Sequence, residues 1–246
     1  MRNILLEDLQ GLTSDYDSFL TKEGAMLISV IIPCYNGSKY LPEAIASLRQ
    51  QNMEIEVIVI DDGSTDDTAK IAKSFDCIVH TIPNSGAATA RNTGLKLATG
   101  DFILFQDHDD LMKKDALANL LSPFQQDASL SAVMGQAIDF ISPDIPPEEM
   151  KILAPRPQPY YGFLSGAVLF RRNIFDLVGS FTENLATGET VDFLMRFKES
   201  GLPTVKIDTI TVERRLHSNN TGRTMKKQEH KDYASLLRRK LAARRS

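Results

Sequence analysis

The chain has no tryptophan and only two cysteines, Cys34 and Cys77. Two thiols so placed make neither a disulfide framework nor a zinc site, and reduced cytosolic thiols are the expectation. No apolar run approaches the ~20 residues that a membrane-spanning helix needs. The N-terminal MRNILLEDLQ has no continuous apolar stretch behind Arg2, so it does not read as a secretion signal. The expected location is the cytoplasm, in reach of the inner face of the membrane. G-x-G-x-x-G and G-K-[ST] are both missing, which leaves a dinucleotide fingerprint and a P-loop unsupported.

Basic charge is scarce over most of the chain. Residues 213–246 hold eleven of the 28 Lys and Arg residues and three of the 32 acids, leaving 17 basic against 29 acidic groups elsewhere. An acidic body with a basic tail suits a polyanionic partner, one wall of a phosphate site, or loose contact with an anionic membrane. A solvated terminal helix over 230–246 explains the same charges. No nucleic-acid partner is expected.

What is present is a rhythm of short apolar runs and amphipathic stretches. Residues 1–24 form a polar extension in which Leu5, Leu6, Leu9 and Leu12 fit a short helix. Strands are predicted over 26–33, 55–61, 77–82 and 101–106, and helices over 38–51, 64–75 and 86–98 between them. Such alternation implies an α/β fold with a mostly parallel sheet covered on both faces. Further on, a helix near 113–126 and a strand near 130–136 are followed by a proline-rich loop or lid over 141–161. A strand over 166–170, helices near 172–178 and 190–199, and a strand near 204–209 complete the reading. No internal repeat is present.

Three polar loops follow three of these strands: PCYN (33–36), DDGS (61–64) and DHDD (107–110). In a parallel sheet all three emerge at the carboxyl edge, where ligands bind. Carboxylates packed as closely as those of DHDD repel by roughly 1 kcal/mol or more per pair even near water. Something positive must balance them. Asp107 and Asp109, two apart, aim to one side of an extended chain. Oxygen donors of this kind suit Mg²⁺ or Mn²⁺. A helix cap with surplus acids ahead of LMKKDALANLL is the plain alternative, and a turn with a cap at Ser64 or Thr65 is the one for Asp61 and Asp62. In NSGAATARNTG (84–94), Arg91 is placed to hydrogen-bond a base or a phosphate.

Taken together, SVIIPCYN, EVIVIDDGSTDDT, NSGAATARNTGLKLATGDFILFQDHDD, GAVLFRRNIFDLVGSF, GETVDFLMR and RRLHSNN resemble, in order, the blocks of a family 2 glycosyltransferase of the GT-A type. The resemblance spans about 27–222. It implies one catalytic domain over 25–222, with a Rossmann-like nucleotide-binding half to about 110 and an acceptor half beyond, then a basic tail over 223–246.

The same resemblance implies roles. Pro33, Tyr35 and Asn36 would border the nucleobase, Asp62 would hydrogen-bond it, and Arg91 would face the nucleotide. Asp107, His108 and Asp109 stand at the family's metal-binding triplet. Asp109 would bind the metal directly, while Asp107 would touch ribose or a metal-bound water. His217 would approach the metal or the diphosphate, and Arg214, Arg215 or Arg223 would assist the diphosphate. Inversion needs a base on the acceptor side. Where the family commonly shows Glu-Asp, this chain reads Gly188-Glu189-Thr190-Val191-Asp192. Thr190 cannot be that base. Glu189, in the loop ahead of the helix, is the first choice and Asp192 the second.

The function so implied is metal-dependent, inverting transfer of a sugar from a nucleotide-diphospho-sugar, a UDP-sugar first, to a saccharide, a lipid-linked saccharide or another hydroxyl acceptor. The broken pattern at Thr190 leaves a weak or inactive nucleotide-sugar-binding protein as the alternative. A sugar-nucleotide pyrophosphorylase would need a glycine-rich, Arg-bearing loop after the first strand, which PCYNGSKY does not supply.

Overall fold

Why the first half of the chain forms buried strands is visible in β1 (Ile28–Cys34), which is buried along its whole length. The computed structural model describes residues 26–162, 165–183, 185, 188–218 and 220. After β1 come α1 (Leu41–Arg49), β2 (Ile55–Asp61), α2 (Thr68–Lys73), β3 (Ile78–Thr81), α3 (Ala87–Leu97) and β4 (Phe102–Phe105). The second half holds β5 (Leu111–Met112), α4 (Ala116–Gln126), β6 (Ala132–Ile141), α5 (Pro147–Met150) and β7 (Val168–Arg171). It ends with α6 (Ile174–Val178), α7 (Glu189–Glu199) and β8 (Thr204–Leu216). The N-terminal extension over 1–24 and the tail over 223–246 lie outside the described residues.

Successive side chains of a strand point to opposite faces. Ile28, Val30 and Ile32 of β1 therefore pack with Leu41, Ile45 and Leu48 of α1, while Ile31 packs with Ala88 and Ala90 of α3. Both faces are apolar because both are covered, as parallel strands require. One sheet results, in the order β3-β2-β1-β4-β7-β6-β8-β5. β1 is parallel to β2 and β4, and β2 to β3. β7 runs antiparallel to β4 and β6, and β5 antiparallel to β8, whereas β8 is parallel to β6. The expected α/β sheet is thus present, with its parallel pairs concentrated in the first half.

Several elements depart from the sequence expectation. β6 and β8 are longer than 130–136 and 204–209; paired over Ala137–Ile141 and Val212–Leu216, they reach the acid loop. Their polar residues hid this continuation, since Arg214 and Arg215 read as tail charge. β3 is an edge strand with an exposed Ile78, whereas the alternation implies a sheet covered on both faces. α2 starts at Thr68, not at 64, because Asp66 accepts the Ser38 and Thr68 backbone N–H groups at 3.1 and 3.0 Å and holds 64–67 as a turn. The loop over 141–161 contains α5. No described helix is long and apolar enough to cross a membrane.

Candidate active site

The register fixes which loops meet. Cys34 pairs with Asp61 and Ile31 with Phe105. Beyond the strands, Asp62 N donates to Cys34 O at 2.8 Å and Gln106 N to Ile31 O at 2.9 Å. PCYN, DDGS and DHDD therefore share one edge, as the sequence predicts.

The acid loop is a tight turn. Gln106, fully buried, donates Nε2–H to Asp110 O at 2.8 Å. Gly166 (φ +79°) lies so close that a Cβ would stand 2.7 Å from Gln106 Oε1. Oxygens of Asp107, Asp109 and Asp110 all lie within 4.8 Å of one another. Three hard oxygen donors at this spacing fit a Mg²⁺ or Mn²⁺ ion.

Four cationic or donor groups balance the acids. Arg91, only 8% exposed, reaches Asp107 at 3.3 Å. Arg215, 2% exposed, gives its backbone N–H to Asp110 at 2.8 Å and Nε–H to the Asp109 carbonyl at 2.8 Å. His217 Nε2 lies 2.9 Å from Asp109 Oδ2. An ionised carboxylate only accepts, so Nε2 carries the proton in this contact. Asn220 adds Nδ2–H to Asp109 at 3.3 Å. Burial favours a protonated Asp109, but the His217 hydrogen bond and the nearby His108 outweigh it and hold its pKa below the usual carboxylate range. Asp110 goes the other way: burial, then the charges of Asp109 and Asp107, push its pKa well up.

On the nucleotide side, Asn36 Oδ1 accepts the Thr65 N–H at 2.8 Å and its own N–H meets Ser64 Oγ at 2.9 Å, stitching the first two loops together. Asn36 has φ +49°, the left-handed region that Asn tolerates. Pro33 lies in buried β1 and Tyr35 is exposed at its end. Asp62 accepts the Ser85 and Gly86 N–H groups at 2.7 and 2.8 Å, fixing the turn into α3 that carries Arg91. His108 packs on Gly37, where a Cβ would stand 2.6 Å from its Cδ2.

On the other side, Glu189 does not stay in the loop as expected. Gly188 takes a left-handed turn (φ +81°), so Glu189 is the first residue of α7, where its carboxylate opposes the helix dipole. Its Oε1 lies 2.6 Å from Arg91 Nη1, and it is 14% exposed. One guanidinium thus holds both Asp107 and Glu189. Thr190 donates to Glu189 at 3.3 Å and helps line, with Arg91, Phe105 and Phe193, a cavity of about 30 Å³. Asp192 instead accepts from Thr182 Oγ1 at 2.7 Å and Arg196 Nε at 3.1 Å, anchoring the first turn of α7.

The structure thus gathers Asp107, Asp109, Arg91, His217 and Glu189 in one cluster. It gives Arg215 a bracing position: its remaining N–H groups go to Ser142 and Glu43 at 3.1 and 2.6 Å. That departs from the expected diphosphate contact, because burial in β8 occupies its donors. Arg214 lies on β8 beside Asp139, and Arg223 lies outside the described residues. Sequence reasoning counted Asp110 among the aspartates of 107–110 without giving it a role of its own, and it missed Asn220, although that residue stands inside the quoted block RRLHSNN. It also missed the Arg91–Glu189 contact, for which no local signal exists.

Comparison with known proteins identifies the family and the fold. Chondroitin synthase of Escherichia coli is 31% identical over 210 residues, 80% of this chain and 30% of that protein. Glycosyltransferase GlyG of Streptococcus pneumoniae serotype 4 is 37% identical over 107 residues, 41% of this chain and 36% of its own length. The chain thus spans about a third of these curated relatives. The crystal structure of S. aureus TarS 1–349 in complex with UDP-GlcNAc matches with a TM-score of 0.64 at 26% identity, over 79% of this chain and 60% of that one. Mannosyltransferase PcManGT from Pyrobaculum calidifontis, 18% identical with a TM-score of 0.63 over 94% of this chain and 71% of its own, shares the fold. The family model for glycosyl transferase family 2 matches residues 29–182, and to that family this chain belongs.

Proposed function

We propose that the chain transfers a glycosyl group from a nucleotide-diphospho-sugar to a hydroxyl acceptor, inverting the anomeric carbon, with a divalent cation and with Glu189 as general base. The observation that carries this reading is the Arg91 guanidinium, 3.3 Å from Asp107 and 2.6 Å from Glu189. It ties the donor-side acids to a carboxylate across the cleft. A UDP-sugar is the preferred donor, supported by the UDP-GlcNAc complex of TarS.

Asp107, Asp109 and Asp110 would hold the cation, which supplies charge stabilisation for the departing diphosphate. Asp62, Asn36 and the Asp66 turn keep the nucleotide-side loops in place before any ligand arrives. Arg91 orients Glu189, so that its carboxylate can accept the acceptor's hydroxyl proton while the oxygen attacks the anomeric carbon from the face opposite the diphosphate. His217 and Asn220 orient Asp109, and Arg215 carries the turn from beneath. Asp192 steadies the helix that bears Glu189. A cytoplasmic location and loose membrane contact through the basic tail belong to the same reading and rest on the sequence.

Thr190, standing where the family shows a second acid, favours one other reading: a nucleotide-sugar-binding protein without transfer. A thermal-shift panel of UDP-, GDP- and dTDP-sugars with and without Mn²⁺ tests the binding part, since a ligand of the native state raises its melting point. The expected result is a Mn²⁺-dependent rise with UDP-sugars that Asp109→Asn abolishes. A rise as large in EDTA counts against cation-dependent binding. Donor binding with no release of UDP by wild type, under any acceptor mixture, favours the second reading.

A further inference from the structure

Beside the acid loop lies a second polar cluster that the proposed mechanism does not use. Asp139 of β6 and Arg214 of β8 are register partners. The Asp139 carboxylate is 2% exposed and accepts the Tyr160 hydroxyl at 2.6 Å and the Arg156 backbone N–H at 3.0 Å. Both its oxygens therefore have close partners before any guanidinium approaches. Arg214 Nη1 stands 3.8 Å from Asp139 Oδ1, beyond hydrogen-bond reach, and the side chain is 30% exposed. The Arg156 guanidinium lies 3.8 Å above the Tyr160 ring. Arg156 is exposed, and among the described residues no acid is ion-paired with it.

The place of this cluster follows from the backbone. Ala137 and Tyr160 exchange N–H and C=O at 2.9 Å each, so the 160 segment continues the sheet where β7 stops. Gly166 N then donates to Phe105 O, which sets the chain after Tyr160 alongside the entrance to the acid loop. Arg214 directly precedes Arg215, whose N–H binds Asp110. Two cations thus lie beside the hidden Asp139 carboxylate, on the side formed by the loop that follows β6, and Arg214 is drawn to Tyr160 and Asp110 as well. A neutral saccharide gives no reason for this surplus. An oxyanion does, because planar guanidinium groups bind phosphate and carboxylate with paired N–H donors.

We infer that Arg156 and Arg214, set by Tyr160 and Asp139, form an acceptor subsite for a negatively charged group, a phosphate or a carboxylate carried by the acceptor. The inference rests on the proposed glycosyl transfer for its place in the reaction. Its test is titration calorimetry on the full chain saturated with UDP and Mn²⁺. The probes are inorganic phosphate, methyl glucuronide and neutral methyl glucoside. The expected result is that one anionic probe binds at least about tenfold more tightly than the glucoside, a gap of about 1.4 kcal/mol. Arg156→Ala and Arg214→Gln each remove that preference, Arg156→Lys restores part of it, and Arg156→Ala leaves UDP affinity within about twofold. Whether phosphate or glucuronide leads identifies the source of the charge. Equal binding of all three probes, or a preference that survives Arg156→Ala, overturns the inference. Failure of UDP and Mn²⁺ to bind at all would instead overturn the donor reading, so the two outcomes separate.

Discussion

Arg215→Met is expected to loosen the whole lower half of the sheet. The Arg215 guanidinium lies 4.7 Å from the Tyr40 ring centre and 4.8 Å from that of Phe140, and the side chain is almost fully buried. Methionine keeps the stem, so little volume is lost. Three donors disappear, those to the Asp109 carbonyl, Ser142 Oγ and Glu43 Oε2. Glu43 is 59% exposed and regains water. The buried Ser142 hydroxyl keeps its hydrogen bond to Asp144, whereas the partly buried Asp109 carbonyl is left without its Arg215 donor. At about 1–3 kcal/mol for the stranded carbonyl and about 1 kcal/mol for the lost Ser142 bond, the loss is roughly 2–4 kcal/mol. For a chain of this size each kcal/mol moves the melting point by about 2–4 °C, so a fall on the order of 10 °C is expected. Differential scanning fluorimetry and urea titration, without ligand, measure it. A melting point within about 2 °C of wild type would refute the bracing role and return Arg215 to the ligand side.

Glu189→Gln should lower transfer by about 10²–10⁴-fold while donor affinity stays near wild type, and an unchanged turnover rate would remove Glu189 from the role. Burial, then the charges of Asp61 and Asp66, push the Cys34 thiol up to about 12, so at about pH 8 roughly one molecule in ten thousand carries the thiolate. A disulfide reagent at that pH should therefore label Cys77 in the native protein and both thiols only after unfolding; equal rates for the two would contradict the packing around Gly37. Burial would raise the Asp66 carboxyl, but hydrogen bonds from Thr68 and Ser38 hold it at about 2 against an ordinary 3.8. A depressed folded pKa stabilises fully above 3.8 and less as pH falls from 3.8 to about 2. Urea midpoints across that window should decline less steeply in Asp66→Asn, and parallel declines would exclude this source of acid sensitivity.

The parallel half was legible because its strands are apolar on both faces and its helices carry one apolar stripe, patterns that local sequence displays. The convergence of Asp62 and Asp107 followed from topology alone. Legibility ended where contacts join distant residues of unremarkable local context. Arg91 and Glu189 are 98 positions apart, and neither sequence neighbourhood names the other. β8 was cut short because its last turns of chain, VERRL, look solvated; only pairing with β6 makes Arg215 an interior residue. Asp192, the second choice for the base, binds Thr182 and Arg196, contacts that the run GETVDFLMR does not announce. Helix or loop for Glu189 was decided by one left-handed glycine, a signal too small for periodicity to show.

The length of β8 has a consequence for the order in which the molecule is made. A ribosome releases the acid loop about a hundred residues before Arg215, His217 and Asn220, which are its counterweights. Until β8 emerges and slides in beside β6, the nascent protein carries a half-built, self-repelling turn. On the proposed reading donor binding therefore waits for β8, and a transcript broken before codon 213 should yield a sheet with its first half intact and an acid loop without its counterweights.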